Sequence, residues 1–347
     1  AYGNSASVHI SGAIHKASAG RHRIVRGVGG ERHASGMDPR IRSRSLSVHQ
    51  GISDSTLARC RRTQGWQTLR RGYFIDAEVA AALGDADRHR MQVEVAAPVF
   101  GDNTVFSHAS AAVLHGLALW RVPLDRVHVT RNRSHGGRRS RTSVGHAARL
   151  DASQICSVEG LSATTVARTV CDLARLHGFA TGVVAADDAL HRGLLSHAEL
   201  SDAVARAQGS RGAGAARATN RFADGRSESS GESRSRILFS AAGIAPIELQ
   251  RRIVDTAGRV IARADFYFDG NVVGEFDGMA KYGRLLRAGD TAGDAIAREK
   301  LREDRIRDTN RVVVRWTWRD LSTPELLVRR VRDAIARGRA AGAPATP

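Results

Sequence analysis

The stretch from Ile261 to Lys281, IARADFYFDGNVVGEFDGMAK, limits what this chain can fold into more than any other. Phe266, Tyr267, Phe268, Val272 and Val273 are bulky β-favouring residues, and Asp269-Gly270-Asn271 between them is a turn signal, so the segment reads as strand, tight turn, strand. The length of the turn sets which side chains share a face. A three-residue loop, with a glycine able to take positive φ, pairs Phe268 with Val272 and therefore Asp265 with Glu275. A two-residue loop slips the register by one and sends the two carboxylates to opposite faces. In the first register their β-carbons lie roughly 5 Å apart on one face, where like charges repel. A divalent hard cation between them is the usual compensation; solvated acids on an exposed sheet face are the plainer alternative.

Charge is the second constraint. The 347 residues are enough for two or three domains, and 42% apolar with 25% charged residues suits a chain with real cores. Lys plus Arg number 53, nearly all arginine, against 35 acids. A GC-rich coding bias accounts for arginine over lysine but not for a formal charge of +18. That surplus implies a polyanionic partner, most often nucleic acid and less often an anionic membrane surface. Cys60, Cys156 and Cys171 are scattered with no CxxC, which indicates neither a zinc site nor a disulfide framework. No apolar run approaches membrane-spanning length. A reduced, cytoplasmic protein is expected.

Along the chain, residues 1–36 are rich in Gly, Ser, His and Arg, without apolar period or signal-peptide core. They are expected to be disordered, with Met37 as the natural start and the segment before it a fusion remnant or upstream extension. Residues 37–80 read as a winged helix-turn-helix. Ser53 or Asp54 caps a helix that carries Ser55, Thr56, Arg59, Arg61 and Arg62, and WQTLRRGYFI from Trp66 to Ile75 forms a short hairpin with Arg70 and Arg71. A recognition helix followed by a basic β-wing is one way a protein meets DNA, the arginines taking phosphates; a basic surface with no ligand is the plainer reading.

Residues 81–207 read as a mixed α/β middle domain. Ser107 caps a small-residue helix that bears His108 and His115; a ligand role is open to both, but packing or capping is the commoner role of a lone histidine on such a helix. Val127 to Thr130 is a strand. The loop after it carries Arg131, Arg133, Arg138, Arg139 and Arg141, a solvated loop or a nucleic-acid contact. Residues 161–205 read as helical, and the Gly-, Ala-, Ser- and Arg-rich stretch 208–228 as a linker. From 229 to 340 the grammar is helix, three strands, charged helix, strand, last helix: an αβββαβ order.

Two stretches resemble known families. ISDSTLARCRRTQGWQTLRRGYFI, with Ser53, Leu57, Arg59, Gly65-Trp66 and Gly72-Tyr73, resembles the N-terminal winged helix of the AbiEi family of antitoxins, with a shorter spacing before the tryptophan. SHASAAVLHGL, from Ser107 to Leu117, is similar to the helix that follows in that family. Residues 228–322 resemble the very-short-patch-repair-like branch of the PD-(D/E)xK endonuclease superfamily. The match is carried by Ser230-Gly231-Glu232-Ser233-Arg234, Ala264-Asp265, Glu275-Phe276-Asp277-Gly278 with Lys281-Tyr282, and REKLREDR leading to VVVRWTWRDL.

That second resemblance implies a restriction-endonuclease-like domain that hydrolyses DNA phosphodiesters with Mg²⁺ or Mn²⁺. Asp265 and Glu275 would hold the metal, Glu232 would be an outer-shell acid, and Asp277 would be a further acid of the catalytic set. Lys281 or Lys300 would serve in place of the usual lysine, because Asp277 stands two positions after Glu275. Glu232 is equally explained by a Ser229-x-x-Glu232 capping box. Together the resemblances leave two functions open. One is a DNA-binding protein with a metal-dependent nuclease domain. The other is a non-catalytic AbiEi-like repressor and antitoxin of a type IV toxin–antitoxin system, partnered by a nucleotidyltransferase-type toxin. A homodimer would suit two-fold duplex DNA.

Overall fold

The computed structural model describes residues 37–342 except 64, 102–103, 134–135, 279–300, 303–304 and 307. The described residues form an α+β structure with three separate sheets. The first element group is β1 (Arg42–Ser43), α1 (Arg44–His49), α2 (Asp54–Thr63), β2 (Gln67–Arg70) and β3 (Tyr73–Ile75). The sheet runs β1-β3-β2 with both pairings antiparallel. Gly72, at φ 85°, turns the chain between β2 and β3, a backbone angle that a β-carbon disfavours.

Ser53 settles the cap of α2, because its Oγ accepts the Thr56 backbone N–H at 3.2 Å. Leu57 and Cys60 are the buried residues of that helix, one turn apart. Helix α3 (Ala77–Ala82), capped by Asp76, and helix α4 (Asp85–Phe100) close this core. Met91 on α4 joins Ile75 and Ala80 there, while Val93 and Ala96 enter the core of the next layer.

The middle region has six strands: β4 (Thr104–Phe106), then β5 (Val127–Asn132), β6 (Arg138–Arg139), β7 (Ser143–Ala148), β8 (Ile155–Val158) and β9 (Leu161–Thr164). Helix α5 (His108–Leu114) follows β4. The sheet order is β6-β7-β5-β4-β9-β8, with β5·β7 and β4·β9 parallel and the other pairings antiparallel. Sequence patterning found one of these strands, because most are short and lack strong alternation.

Four helices follow: α6 (Val166–His177), α7 (Phe179–His191), α8 (His197–Arg206) and α9 (Ala213–Phe222). Residues 161–164, read as part of a helical stretch, are strand β9, and Thr165 caps α6 after it. Expected as linker, the stretch 208–228 carries α9, whose Ala216 and Thr219 are buried. Small residues there serve close packing as well as they would serve flexibility. A β-carbon on Gly182 of α7 would lie 2.4 Å from Thr219 Oγ1 and 2.5 Å from Ala174 Cβ, so three helices meet at a position only glycine fits.

The last group is α10 (Ser230–Ala241), β10 (Glu248–Val254), β11 (Val260–Phe268), β12 (Val272–Phe276), β13 (Val312–Trp316), α11 (Trp318–Leu321) and α12 (Pro324–Gly342). Residues 301–302 and 305–306 are also helical. The sheet runs β10-β11-β12-β13, antiparallel in its first two pairings and parallel in the last. The order helix, three strands, helix, strand is the expected one.

Register follows the three-residue loop: Phe268 pairs Val272, Tyr267 pairs Val273 and Phe266 pairs Gly274. Gly270 and Asn271 take the positive φ values, 69° and 55°. Phe266, Phe268, Phe276, Val314 and Trp316 pack with Phe239 of α10 and Leu327, Val331 and Ala334 of α12. Phe239 meets the rings of Phe266, Phe268 and Trp316 edge-on at 5.1–5.8 Å, an arrangement that adds about 0.5–1.5 kcal/mol per pair beyond area burial. Tyr267 and Val273, of opposite parity, pack with Ile306 instead. By the same alternation Asp265 and Glu275 belong to that second face.

Candidate functional site

Extending the β11·β12 ladder one step past Phe266–Gly274 sets Asp265 opposite Glu275. The next backbone group agrees, since Phe276 N–H donates to Asp265 Oδ2 at 2.9 Å. Glu275 is buried, 8% exposed, and lies opposite Arg315 in the parallel β12·β13 pairing. Its Oε2 accepts from Arg315 Nε at 3.0 Å and from Arg302 at 2.7 Å. Its Oε1 is buried with no hydrogen-bond partner among the described residues. A buried carboxylate oxygen left in that state costs about 1–3 kcal/mol or more unless something occupies it.

The two guanidiniums change one expectation. The pairing of like charges is as the turn length required, but part of its compensation comes from Arg302 and Arg315. Both lie in stretches that carry the resemblance, REKLREDR and VVVRWTWRDL, but neither was read as a site residue. Arg315 could have been found by running the β12·β13 register, because the arginine in VVVRW falls directly across from Glu275; Arg302 had no such signal.

Glu232 lies near the N-terminus of α10 and is 5% exposed. Its backbone N–H donates to Ser229 Oγ at 3.2 Å, so Ser229 caps α10, and its Oε1 accepts from that hydroxyl at 2.7 Å; the backbone N–H its carboxylate takes is that of Glu228 rather than Ser229, so half of the expected capping box is formed. The same carboxylate also reaches the sheet, since Oε2 accepts from Gln250 Nε2 at 2.8 Å and from Glu228 N–H at 3.0 Å. Gln250, at φ 57°, stands between the Leu249–Phe266 and Arg251–Ala264 pairs, hence across from Asp265. Arg263 is held in its charged form chiefly by its bond to Glu228, with smaller contributions from Asp265 and Glu232. Glu232, Asp265 and Glu275 are thus gathered by three different elements. Asp277 follows the end of β12, its N–H donating to Trp316 O at 2.8 Å. Lys281 and Lys300 lie outside the described residues.

Helix α10 approaches this corner closely. A β-carbon on Gly231 would sit 1.9 Å from the Phe276 ring. Trp318 meets Phe276 edge-on at 5.2 Å and stacks at 5.1 Å on Trp120 of the middle region, with Arg234 over the other ring.

In the N-terminal group, Arg59, Arg61, Arg62 and Arg71 are exposed, Ser55 is exposed and Thr56 half-buried. The hydroxyls of Ser55 and Thr56 lie 2.8 and 2.9 Å from Ser53 Oγ, so both belong to the cap of α2 as well as to its outer face. Arg61 lies over Phe74 and Arg70 over Phe100, at 5.4 and 5.5 Å, which stiffens two of the expected phosphate contacts. Arg42 over Trp66, at 4.7 Å, adds a cation that the sequence did not single out.

In the middle region His115 Nε2 lies 2.7 Å from the Thr164 carbonyl, to which it must donate, a packing role as expected. His108 is different: with His128 and His146 it forms a three-imidazole cluster. Compared with models of known protein families and with curated proteins, the chain finds no match in either.

Proposed function

We propose that the chain is a DNA-binding protein whose C-terminal region, of restriction-endonuclease-like fold, hydrolyses phosphodiester bonds with Mg²⁺ or Mn²⁺. The observation that carries this reading is the buried Oε1 of Glu275, without a partner among the described residues, beside an in-register Asp265. A hard cation takes carboxylate oxygens, and an orphaned buried carboxylate oxygen next to a second carboxylate is where one fits. Asp265 and Glu275 would hold the ion. When bound, it supplies an activated water and stabilises charge on the departing oxygen.

The chain's own groups do the rest. The Phe276 N–H fixes one oxygen of Asp265, and the β12·β13 ladder fixes Glu275 against Arg315. Arg315 and Arg302 place two positive charges at the same carboxylate, where they suit the non-bridging oxygens of a phosphate. Glu232, tied to Gln250, positions the strand opposite Asp265. Residues 37–80 then act as a winged helix-turn-helix, with Ser55, Thr56, Arg59, Arg61 and Arg62 on the recognition helix and Arg70 and Arg71 on the wing.

The second reading, a non-catalytic AbiEi-like repressor and antitoxin, is favoured by one observation. Arg302 and Arg315 already occupy Glu275 Oε2, so the carboxylate pair is partly neutralised by the protein itself. Plasmid cleavage in Mg²⁺ or Mn²⁺ against EDTA separates the two. The parent is expected to nick DNA only with metal, while Asp265→Ala and Glu275→Ala lose at least about a hundredfold of rate, as for removal of a group that stabilises transition-state charge, and keep DNA binding. Tight, salt-sensitive binding with no cleavage by the parent would establish the repressor reading instead, with its nucleotidyltransferase-type toxin partner and homodimer to be tested.

A further inference from the structure

The middle sheet brings together three histidines that are far apart in sequence. In the parallel β5·β7 pairing Thr130 lies opposite His146, so His128, two residues earlier, is its diagonal neighbour on the same face. His108 is brought to them by the start of α5, because the Ser107 N–H donates to the His128 carbonyl at 3.1 Å. One ring nitrogen from each of the three falls within 4.8 Å of the others, and among the described residues this is the one cluster of three His, Cys, Asp or Glu so arranged.

We propose that His108, His128 and His146 form a binding site for one divalent transition-metal ion of the zinc class, independent of the Asp265–Glu275 pair. Three features support it. First, ligand type: imidazole suits zinc and its neighbours and does not suit magnesium. Second, geometry: one ring nitrogen of each histidine already lies within 4.8 Å of the others, so turning a ring is enough to bring them to the roughly 3.3 Å that two zinc–nitrogen bonds of about 2.0–2.1 Å at the tetrahedral angle require.

Third, the fold fixes ring orientation. The Ser107 hydroxyl, itself bonded by Thr130 at 2.8 Å, lies 3.0 Å from His108 Nδ1 and orients that ring, the role an outer-shell partner plays at metal histidines. His108 also holds φ at 51°, an unusual backbone angle for a residue with a side chain, and such strain gathers at functional sites.

In this structure the His108 and His146 rings stack, 3.7 Å between centroids and 14° from parallel. Two stacked rings cannot both point a lone pair at one ion, so binding turns His146, the most exposed of the three, out of the stack. The ion takes the place of the proton shared between His128 and His146, which moves to another nitrogen of its own ring. Three protein ligands leave a fourth position open to solvent, as in zinc sites that bind a further group. The strand at this edge ends in Arg138 and Arg139, so an anion is the natural occupant of that position.

The test is titration of the untagged full chain with Co²⁺, read by its visible ligand-field absorption, followed by displacement with Zn²⁺. The expected result is saturation at one equivalent with tetrahedral-type bands that Zn²⁺ abolishes. His146→Gln and His108→Gln each weaken binding by more than the roughly 10–100-fold that loss of an outer-shell partner costs. Asp265→Ala binds as the parent does, which separates this site from the carboxylate pair. His146 is half-buried, so its variant is expected to keep the parent's circular dichroism and decides the matter if His108→Gln does not fold. No saturable absorption in the parent, or unchanged binding in His146→Gln with the signal carried by histidines of the first 36 residues, would overturn the proposal.

Discussion

Single residues here are held by partners that define their protonation. His89 is fully buried, with Nδ1 2.9 Å from the Leu124 carbonyl and Nε2 2.9 Å from Ser110 Oγ. A carbonyl only accepts, so Nδ1 carries the proton and Nε2 is the acceptor in a neutral ring. Burial depresses its pKa below the usual histidine value, with the Leu124 bond pulling weakly the other way. Because the unfolded chain then binds more protons than the fold at any pH between the two values, the stability from this group is fully present above about 6.5 and lost as pH falls below it. His115 and His177 are shifted the same way. We expect the thermal midpoint to drop between pH 7 and 5, and His89→Gln to make that drop shallower without removing it. An equal slope in parent and variant would show that other groups govern acid sensitivity. None of this is visible in sequence, where His89 sits unremarked between Arg88 and Arg90; a histidine's neighbours across 21 and 35 positions decide its chemistry.

At the scale of elements, the C-terminal sheet rests on close approaches that tolerate no added atom. Gly231 in α10 faces the Phe276 ring, and a β-carbon on Gly274 would lie 2.7 Å from Trp316, whose indole N–H is satisfied by Ser235 at 2.7 Å. Gly231→Ala must displace Phe276, whose N–H holds Asp265. Overpacking of this kind costs about 1–3 kcal/mol, to be read as a lower urea midpoint with unchanged slope. If cleavage is found, the same variant should cut more slowly, because the carboxylate's anchor moves with the ring. The hairpin itself was legible beforehand: period-two bulk and an Asp-Gly-Asn turn narrow the register to two candidates through local sterics. Its arginines were not, because Arg302 comes from a segment whose position relative to β12 no local rule sets.

For the molecule as a whole, the middle and C-terminal regions are joined by a buried polar network. Asp187 of α7 accepts from Ser233 Oγ and from Arg236, both at 2.7 Å, and from Asp224 N–H at 2.8 Å. Burial pushes the Asp187 carboxyl up to about 6, against the pull of Arg236 and these hydrogen bonds. Arg236→Ala leaves that carboxylate buried without its cation and should cost about 3–5 kcal/mol, with partial recovery on adding Asp187→Asn; no recovery would assign the loss to packing. The surplus of +18 acts at the same scale. DNA affinity is expected to fall steeply between about 50 and 200 mM salt, and Arg70→Ala with Arg71→Ala to reduce the log–log slope by about one each. An unchanged slope would remove the wing from the interface. Among the described residues no helix is long and apolar enough to cross a membrane.

By itself the sequence determined the αβββαβ order, the hairpin with its two candidate registers and the basic helix and hairpin near the N-terminus, because caps, turns and side-chain alternation act between near neighbours. Only the tertiary structure decided that Glu275 lies between two arginines with one oxygen unmatched. It also decided that α9 is packed rather than a linker and that three scattered histidines meet at one point. Those outcomes depend on which strands lie side by side and how the helices close over them, and contacts between distant segments leave no spacing in the chain to read.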